Sequence, residues 1–341
     1  MPASYRSPNI HVSLVAIPEV SAAVLYGLHE VFLAVGKTWQ LVTGTPTHAP
    51  QISVSVVAKS TALMRTNLGV PIKADRAFRD DDPTDIIVVA DINLEPGVEF
   101  QGQWPEATAW LQEKYEQDTI ICSVCTGAIL LAEAELLNDR QATTHWSAKH
   151  LFQAYYPQVT LMPERVLLPT GSEHRVITSG GSASWTDLSL YLVARFCGQE
   201  EARRIAKLFL FGNRGDGQLP FCAMVRPKQH EDATVANCQL WVSDNYHLPN
   251  PVTEMIEQSG LTPRTFKRRF RKATGYDPLD YVQTLRMEEA KQMLEATNDS
   301  IDTIASSVGY EDPNSFRRLF KRTTAISPSR YRQRFQTVSI S

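Results

Sequence analysis

Cysteine is scarce in this sequence, and long apolar runs are absent from it. The 341 residues include five cysteines, an odd number and too few for a disulfide framework, so we expect reduced thiols. No apolar stretch approaches the roughly 18 residues that a membrane-spanning helix requires. The opening residues, MPASYRSPNIHVSLVAIPEV, lack the basic and then apolar layout of a secretion signal. We therefore expect a cytoplasmic protein that has no membrane partner.

Positive charge is in excess only near the C-terminal end. The formal net charge is −3, yet residues 250–335 carry 15 Lys or Arg against 11 Asp or Glu, while the other residues carry 19 against 26. A local positive excess in an acidic chain indicates a polyanionic partner for that end. The length is sufficient for two domains that each bury a core.

Short apolar runs alternate with helical patterns from residue 11 to about residue 213. The predicted strands are HVSLVAI, QISVSVVA, DIIVVA, TIICSV and HRVITS, and the predicted helices include VLYGLHEVFLAV, ATAWLQEKYEQ, CTGAILLAEAELL and SWTDLSLYLVARF. Nearly continuous apolar strands separated by helices are typical of a parallel sheet that is covered on both faces. We therefore predict a flavodoxin-like, doubly wound α/β domain over residues 8–214.

The periodic pattern disappears in residues 215–232, where Gly, Pro and charged residues dominate, and we interpret this segment as a linker. Residues 233–336 show only helical periods, interrupted by Pro and Gly. We predict that they form an all-α domain.

One short sequence pattern occurs twice in the all-α region. FKRRFRKATG at residues 266–275 returns as FRRLFKRTTA at residues 316–325, and two Phe, one Pro and one Tyr recur at a constant offset of fifty. Each copy follows a short helical pattern, a Gly-containing turn and a Thr-Pro or Asp-Pro pair that suits a helix start. This layout predicts two helix-turn-helix motifs.

The second helix of each motif would expose basic side chains, because Phe residues at positions i and i+4 pack the opposite face. Arg, Lys and Asn read guanine and adenine edges or neutralise phosphates in the major groove. A helix over residues 278–296, about 28 Å long at about 1.5 Å per residue, would hold the two helices in successive grooves. A single basic stretch could be solvated surface, but the duplication favours double-stranded DNA as the partner. The predicted DNA-binding residues are Arg264, Thr265, Lys267, Arg268, Arg271, Asn314, Ser315, Arg317, Arg318 and Lys321.

Residues 233–335 resemble the DNA-binding domain of the AraC/XylS family of bacterial transcription regulators, chiefly in the segment IASSVGYEDPNSFRRLFKRTTAISPSRYR. The resemblance implies a transcription regulator, more often an activator than a repressor, with RNA polymerase as a partner and a homodimeric state. The family usually has Gly where Ala325 stands. Because a positive φ costs alanine about 1 kcal/mol, we expect a slightly changed turn there.

The phrase TIICSVCTGAILLAEAELL runs from a strand through Cys125 into a helix, and ATTHW supplies His145. A cysteine on such a turn is held at the sheet edge as in a nucleophile elbow, and the helix N-terminus would lower the pKa of its thiol. Residues 11–213 resemble the PfpI-type branch of the class I glutamine amidotransferase-like superfamily. GlxA-type regulators join such a domain to an AraC-type domain, and GDGQLPF resembles the joint that they share.

Departures from the enzymatic members of that superfamily argue against catalysis. Those members have glycines after the strand DIIVVA, where amides form part of an oxyanion hole, but this chain has Ala90-Asp91-Ile92. Loss of one oxyanion donor lowers the rate by ~10²–10³. The acidic residue that would poise the thiol is unclear, since Glu19 lies about a turn early. We therefore predict a binding pocket for a small-molecule effector and no enzyme, with Cys125 and His145 as vestigial catalytic residues. The predicted ligand-binding residues are Cys125, His145, Glu19, Asp91, Ser182 and Trp185.

Other interpretations of the first domain stay open. Cys125 and His145 could be packing residues, or they could serve a cysteine-dependent amidase or hydrolase-like enzyme with a DNA-binding tail. The domain could also act only in dimerisation. A single C-x-x-C is weak evidence for a metal, so we expect neither a metal nor a cofactor. The loop SGGS at residues 179–182 could offer backbone amides to a carboxylate, and we expect an effector that bears an amine or a carboxylate.

Overall fold

The computed structural model describes residues 9–81, 83–94, 99–212, 217–222 and 230–336. Contacts divide the chain into two units, Met1–Gln218 and Leu219–Ser341. The predicted linker, residues 215–232, is described only at 217–222 and 230–232, and the rest of it lies outside the described residues. The predicted domain boundaries therefore stay a prediction.

The first unit is built on a seven-stranded sheet. In chain order, the strands are β1 (Asn9–Val15), β2 (Gln51–Ala58), β3 (Leu63–Arg65), β4 (Pro71–Lys73), β5 (Arg76–Ala77), β6 (Ile86–Val89), β7 (Ile120–Val124), β8 (Gln141–Ala142), β9 (Thr160–Leu161), β10 (Leu167–Thr170) and β11 (Val176–Ser179). The large sheet has the order β10-β11-β7-β6-β1-β2-β5. Its central strands β2, β1, β6, β7 and β11 follow the flavodoxin-like order 2-1-3-4-5.

The strand pairs of the large sheet are parallel, except that β10 runs antiparallel to β11. Leu14 lies in the centre, opposite Val56 of β2 and Val88 of β6, and all three side chains are buried. Parallel strands covered on both faces need such continuous apolar runs. The prediction of a doubly wound parallel sheet is confirmed, and β10 is an edge strand that the sequence analysis missed.

Helices cover this sheet. In chain order, they are α1 (Ala22–Ala34), α2 (Thr38–Thr43), α3 (Pro105–Glu116), α4 (Ala128–Glu133), α5 (Lys149–Tyr155), α6 (Trp185–Cys197) and α7 (Gln199–Leu208). Leu25, Leu28 and Phe32 of α1 lie on one face at helical spacing and are fully buried. The helix predicted over CTGAILLAEAELL is shorter than expected. It begins as a 3₁₀ turn and ends at Glu133, after which Glu135 adopts a positive φ of 58°.

The described part of the second unit is helical, as predicted. Its helices are α8 (Ala233–Asn245), α9 (Pro251–Ser259), α10 (Pro263–Thr274), α11 (Pro278–Ala296), α12 (Ile301–Ser307), α13 (Pro313–Thr324) and α14 (Pro328–Phe335). We define motif 1 as α9 with α10 and motif 2 as α12 with α13. Two separate apolar cores hold these motifs, and α11 contributes to both of them.

Helix α11 is the predicted spacer between the motifs. Its 19 residues span about 28 Å at about 1.5 Å per residue. Val282 in its first half is buried in the core of motif 1, whereas Ala290 in its second half is buried in the core of motif 2. Leu285 and Met293 are half-buried against the cores of motif 1 and motif 2 respectively. One continuous helix therefore carries both motifs.

The turns that end α10 and α13 have the same backbone conformation. Gly275 has φ 79° and ψ −4°, and Ala325 has φ 64° and ψ −9°. The expectation of a slightly changed turn at Ala325 holds in part: the alanine still adopts the left-handed conformation, but the cap hydrogen bond that Gly275 donates to Arg271 O at 2.9 Å has no counterpart among the described contacts of Ala325. The strain of that conformation therefore stays in motif 2.

Within the described residues, no helix has the combination of length and apolar character that crossing a bilayer requires.

Candidate nucleic-acid interface and ligand site

Helix α10 has one buried face and one cationic face. Thr262 caps its first turn by accepting a hydrogen bond from the amide of Thr265. Phe266 and Phe270 are fully buried, with ring centroids 5.5 Å apart. The predicted residues on the other face are exposed; these are Arg264, Lys267, Arg268 and Arg271. Residues spaced by three and four positions share a helix face, so these four cations form one surface.

Arg269, which was not assigned to DNA, is partly exposed and pairs with Asp232, the residue that caps α8. Its guanidinium donates from Nε and Nη2 to the two carboxylate oxygens of Asp232, at 2.9 and 2.7 Å. Such a two-point pair fixes the arginine firmly. The hydrogen bond from this arginine also lowers the pKa of the Asp232 carboxyl. Helix α10 therefore has one arginine with a structural role and five exposed cations, the four given above and Lys272.

Helix α13 repeats this arrangement, with more of its cations paired. Asp312 accepts hydrogen bonds from the amides of Asn314 and Ser315, each at 3.0 Å, and so caps the helix. Its pKa is lowered, first by the Ser315 hydroxyl and then by these amides. Arg318 donates to Ser315 Oγ at 2.7 Å and lies 3.7 Å from the Asp312 carboxylate. A phosphate or base would have to compete with these contacts.

Two other cations of α13, Arg317 and Lys321, differ in whether another side chain pairs with them. Arg317 is ion-paired with Asp302 of α12 and donates to Asn314 Oδ1 at 3.3 Å, whereas Lys321 is exposed. Phe316 and Phe320 are fully buried on the opposite face. The two helices thus share one design, but α13 presents fewer unpaired cations than α10.

In the first unit, Cys125 lies on the sharp turn that the sequence analysis predicted. It follows β7 directly and has a positive φ of 55°. Its carbonyl oxygen accepts a hydrogen bond from Thr144 Oγ1 at 2.9 Å. A strained backbone at the end of a strand is the geometry of a nucleophile elbow.

Three of the predicted ligand residues meet at the carboxyl ends of the strands. Ser182 Oγ donates to Asp91 Oδ2 at 2.7 Å and lies 3.5 Å from Cys125 Sγ. These residues follow β6, β7 and β11, which are neighbours in the sheet. Ligands of doubly wound folds bind at this edge. We call Asp91, Cys125 and Ser182 the sensor cluster.

The electrostatics of the sensor cluster contradict one expectation. Burial raises the pKa of the Cys125 thiol, and the Asp91 carboxylate raises it further, although the Ser182 hydroxyl opposes the shift. The lowered thiol pKa predicted from the helix N-terminus is therefore wrong, because desolvation dominates. Burial also raises the pKa of the Asp91 carboxyl. The cluster is a poor site for a thiolate at neutral pH.

His145 borders the cluster without activating the thiol. Its Nδ1 lies 2.6 Å from Ser147 Oγ, and in the described part of the chain its hydrogen bonds are with Ser147 and not with Cys125. Burial lowers the pKa of the imidazole. The ring edge packs near Gly181, which precedes Ser182. A neutral imidazole in this position can line a pocket, whereas a thiolate–imidazolium pair is not present.

Glu19 and Trp185 have other neighbours. Glu19 Oε2 accepts a hydrogen bond from the indole of Trp104 at 3.1 Å, and its backbone carbonyl accepts from the amide of Asn93, two residues beyond Asp91. The Trp185 ring packs against Gly27 and Phe211. Their roles as ligand residues therefore stay predictions.

The loop at residues 179–182 is less available to a carboxylate than the sequence suggested. The amide of Gly180 donates to Val166 O at 2.8 Å. Ser179 is fully buried in β11, and its hydroxyl donates to Ser123 O at 3.1 Å. Neither group points to a free anion site.

Two residues that were not predicted from the sequence hold the sensor cluster together. Thr126 Oγ1 donates to Ile92 O at 2.7 Å and accepts from Ile92 N at 2.9 Å, which ties the elbow to the segment after Asp91. Gln218 donates from Nε2 to Thr144 O at 2.9 Å. A Thr directly after the elbow Cys was the available signal for the first contact, whereas nothing in the sequence indicated the second.

No group of three or more metal-binding side chains occurs within the residues that the structure describes.

Two family models match the chain. A helix-turn-helix domain model matches residues 255–334, and a DJ-1/PfpI family model matches residues 41–195. The chain joins a DJ-1/PfpI domain to an AraC-type helix-turn-helix domain. This is the arrangement of the GlxA-type regulators, so the resemblance inferred from the sequence is confirmed.

Two named regulators match most of this chain, and a solved structure is reported with them. The HTH-type transcriptional regulator CdhR of Pseudomonas aeruginosa is 28% identical over 276 residues, which cover 77% of this chain and 76% of the relative. The HTH-type transcriptional regulator GlxA of Rhizobium meliloti is 27% identical over 216 residues, which cover 63% of this chain and 65% of GlxA, slightly under two thirds. A crystal structure of an AraC family transcriptional regulator from Pseudomonas putida aligns with 59% of this chain and 99% of its own, with 17% identity and a TM-score of 0.47.

Proposed function

We propose that the chain is a sequence-specific transcription regulator that binds double-stranded DNA through α10 and α13 and responds to a small molecule bound at the sensor cluster. The observation that carries the DNA-binding role is the duplicated helix, capped at its start, with a buried Phe pair on one face and cations on the other. A helix of this kind fits the major groove. Relatives that match most of the chain are transcriptional regulators by name.

Spacing supports a site that a single protomer can occupy. Helix α11 is about 28 Å long at about 1.5 Å per residue, and successive major grooves on one face of B-DNA are ~34 Å apart. Two unequal recognition helices on one strut would read a long site that is not palindromic. The predicted DNA-binding residues on α10 and α13 remain our proposal for the contact surface.

The test begins with a duplex that the full-length chain selects from a random pool. Arg268→Ala and Arg318→Ala should each weaken binding by about 1–3 kcal/mol if the arginine reads a base, or lower the salt slope by about 1 if it contacts a phosphate. Arg203→Ala is the matched control, because Arg203 is exposed on α7 of the first unit and its removal changes the net charge equally. Unchanged affinity and salt slope in both helix variants would contradict the proposal.

For the effector, the sensor cluster favours a cationic or hydrogen-bond-donating group. Asp91 Oδ1 is buried and has no hydrogen-bond partner among the described residues, and a buried carboxylate oxygen without a partner is unfavourable. An amine would satisfy it. The buried Asp91 carboxylate therefore favours an amine over a carboxylate as the group of the effector that enters the cluster.

Thermal-shift screening of amino acids, betaines and polyamines tests the sensor role. A ligand at 100 times its Kd adds about 2.7 kcal/mol to the stability of the state that binds it. The shift should be absent in Asp91→Asn. No shift with any compound is the result expected if the first domain acts only in dimerisation. A ligand can change DNA binding only by as much as its affinity differs between the two states of the regulator.

The remaining parts of the proposal rest on the family resemblance. We propose a homodimer that works in the cytoplasm with RNA polymerase, as an activator. We propose no catalytic role, because the thiol of Cys125 has a raised pKa and the His145 ring is engaged by Ser147. Turnover of an amide or ester substrate that disappears in Cys125→Ala would restore the enzyme alternative.

A further inference from the structure

One arginine of α11 joins the segment between α8 and α9 to the turn of motif 2. Arg286 lies in the middle of α11, between Leu285, which packs on the core of motif 1, and Met287, which is buried in the core of motif 2. Its guanidinium donates from Nε to Tyr246 O at 2.7 Å, from Nη2 to Leu248 O at 2.9 Å and from Nη1 to Gly309 O at 3.0 Å. The first two carbonyls precede α9 of motif 1, and the third lies in the turn of motif 2.

The chemistry of these contacts suits a rigid bracket. Charge-assisted hydrogen bonds are stronger than neutral ones, and the planar fork of an arginine can satisfy several acceptors in fixed directions. Tyr246 directly follows α8, where unpaired carbonyls favour a cation. The guanidinium carbon also lies 5.3 Å from the centroid of the Tyr310 ring, within the range of a cation–π contact.

Close packing brings the same two segments together beside Arg286. Gly309 has a φ of 85°, and a Cβ built on it would lie 2.3 Å from the carbonyl oxygen of His247. Only glycine permits this approach, since real Cβ contacts are never so short. Tyr246 packs against the core of motif 2. The segment 246–248 is therefore held against motif 2 by an arginine bracket and by a backbone contact that excludes a side chain.

We infer that Arg286 is a positioning residue that fixes the distance and rotation between α10 and α13, so that two half-sites on DNA are bound as one site. This inference rests on the proposed function. Helix α11 sets the separation of the motifs, and it contributes residues up to Leu285 to the core of motif 1 and residues from Met287 onward to the core of motif 2. The hydrogen bonds of Arg286, together with the close approach of Gly309 to His247 O, also connect the segment before α9 to the turn of motif 2. Two linked sites gain affinity only when their geometry permits simultaneous binding.

If Arg286 positions the two motifs, its substitution should weaken binding to the whole DNA site and leave binding to either half-site nearly unchanged. Arg286→Ala removes all three hydrogen bonds. Arg286→Lys keeps the charge but replaces the planar fork with one ammonium group, so it distinguishes orientation from charge. Gln292→Ala is the matched control, because Gln292 is exposed on the same helix. Binding to half-sites reports whether each variant is folded.

The experiment uses the full-length chain and the duplex that the wild-type protein selects from a random pool. Two derivatives have one half-site scrambled, and a third has about five base pairs inserted between the halves, which is half a turn of DNA. Both Arg286 variants should lose at least about tenfold in affinity for the intact duplex, part of the ~10²–10⁴-fold gain available to linked sites, and change less than about twofold on each half-site. They should also be less sensitive to the insertion than the wild type.

Two results would overturn the inference. One is unchanged affinity of both variants for the intact duplex. The other is an equal loss on the intact and half-site duplexes, which would mean that Arg286 only supports the fold. If the wild-type chain selects no duplex at all, the proposed function itself is refuted, so the two failures are distinguishable.

Discussion

Ala325 and Gly275 should respond in opposite directions when their side chains are exchanged. Both residues end a recognition helix in the left-handed conformation, with φ 64° and φ 79° respectively. Ala325→Gly should therefore stabilise motif 2, and Gly275→Ala should destabilise motif 1. Neither residue is among those proposed to contact DNA.

The magnitude follows from two opposing terms. Left-handed backbone costs an L-residue roughly 1–2 kcal/mol. Glycine also lowers the free energy of unfolding by about 0.4–1 kcal/mol, because it has more conformational freedom than alanine in the unfolded chain. The net effect is about 1 kcal/mol in either direction. At Gly275 no heavy atom lies within 4 Å of the added Cβ, so steric overlap does not enlarge the loss.

Hydrogen exchange of the full-length chain measures each effect locally. A change of about 1 kcal/mol alters the exchange rate of protected amides by about fivefold, so exchange in α13 should slow in Ala325→Gly and exchange in α10 should quicken in Gly275→Ala. Ala296→Gly, in the right-handed backbone of α11, is the control and should only destabilise. Unchanged or faster exchange of α13 in Ala325→Gly would refute the strain at this turn.

Three further predictions concern charge. Iodoacetamide should modify Cys125 slowly at pH 7 and react appreciably only above about pH 8.5, because burial raises the pKa of the thiol; a thiolate titrating well below that pH would favour an enzyme. Asp91→Asn should raise the melting temperature at pH 7. Burial raises the pKa of Asp91, so the protonated carboxyl stabilises the fold at low pH, and this stabilisation is lost as the pH rises through the folded pKa. The increase in melting temperature in Asp91→Asn should therefore become smaller on acidification. An increase that does not change with pH would contradict this cause. Asp302→Asn should tighten DNA binding by up to about fivefold, because it frees Arg317 from an exposed ion pair, and weaker binding would show that the pair orients the arginine.

Local patterns in the sequence predicted much of this molecule. The strand predicted as QISVSVVA is β2 residue for residue, and the capping pairs Thr-Pro and Asp-Pro mark the starts of α10 and α13. The elbow at Cys125 was predicted because a strand, a turn and a helix follow each other within a few residues. These signals depend on periodicity and turn chemistry, which neighbouring residues carry.

Properties that depend on distant partners were not predictable. The raised pKa of the Cys125 thiol reflects burial and the nearness of Asp91, which is 34 positions away. Arg286 resembled any other charged residue of a helix, and its acceptors lie 23 to 40 positions away. Strand β10 is short, only half-buried and contains Pro169, so its sequence did not indicate a strand. Tertiary contacts decide such features, and a single sequence does not display them.

The division of α10 and α13 into two faces affects how this chain can change over generations. The Phe pairs and the caps keep each helix in place, whereas outward cations such as Lys267 and Lys321 make no hydrogen bond or ion pair among the described residues. Substitutions outside can therefore accumulate without loss of folding. Each of the two helices can therefore change its outward side chains, and with them the DNA sequence that it recognises, while its buried face stays constant. Two helices that are built alike can in this way recognise two different DNA sequences.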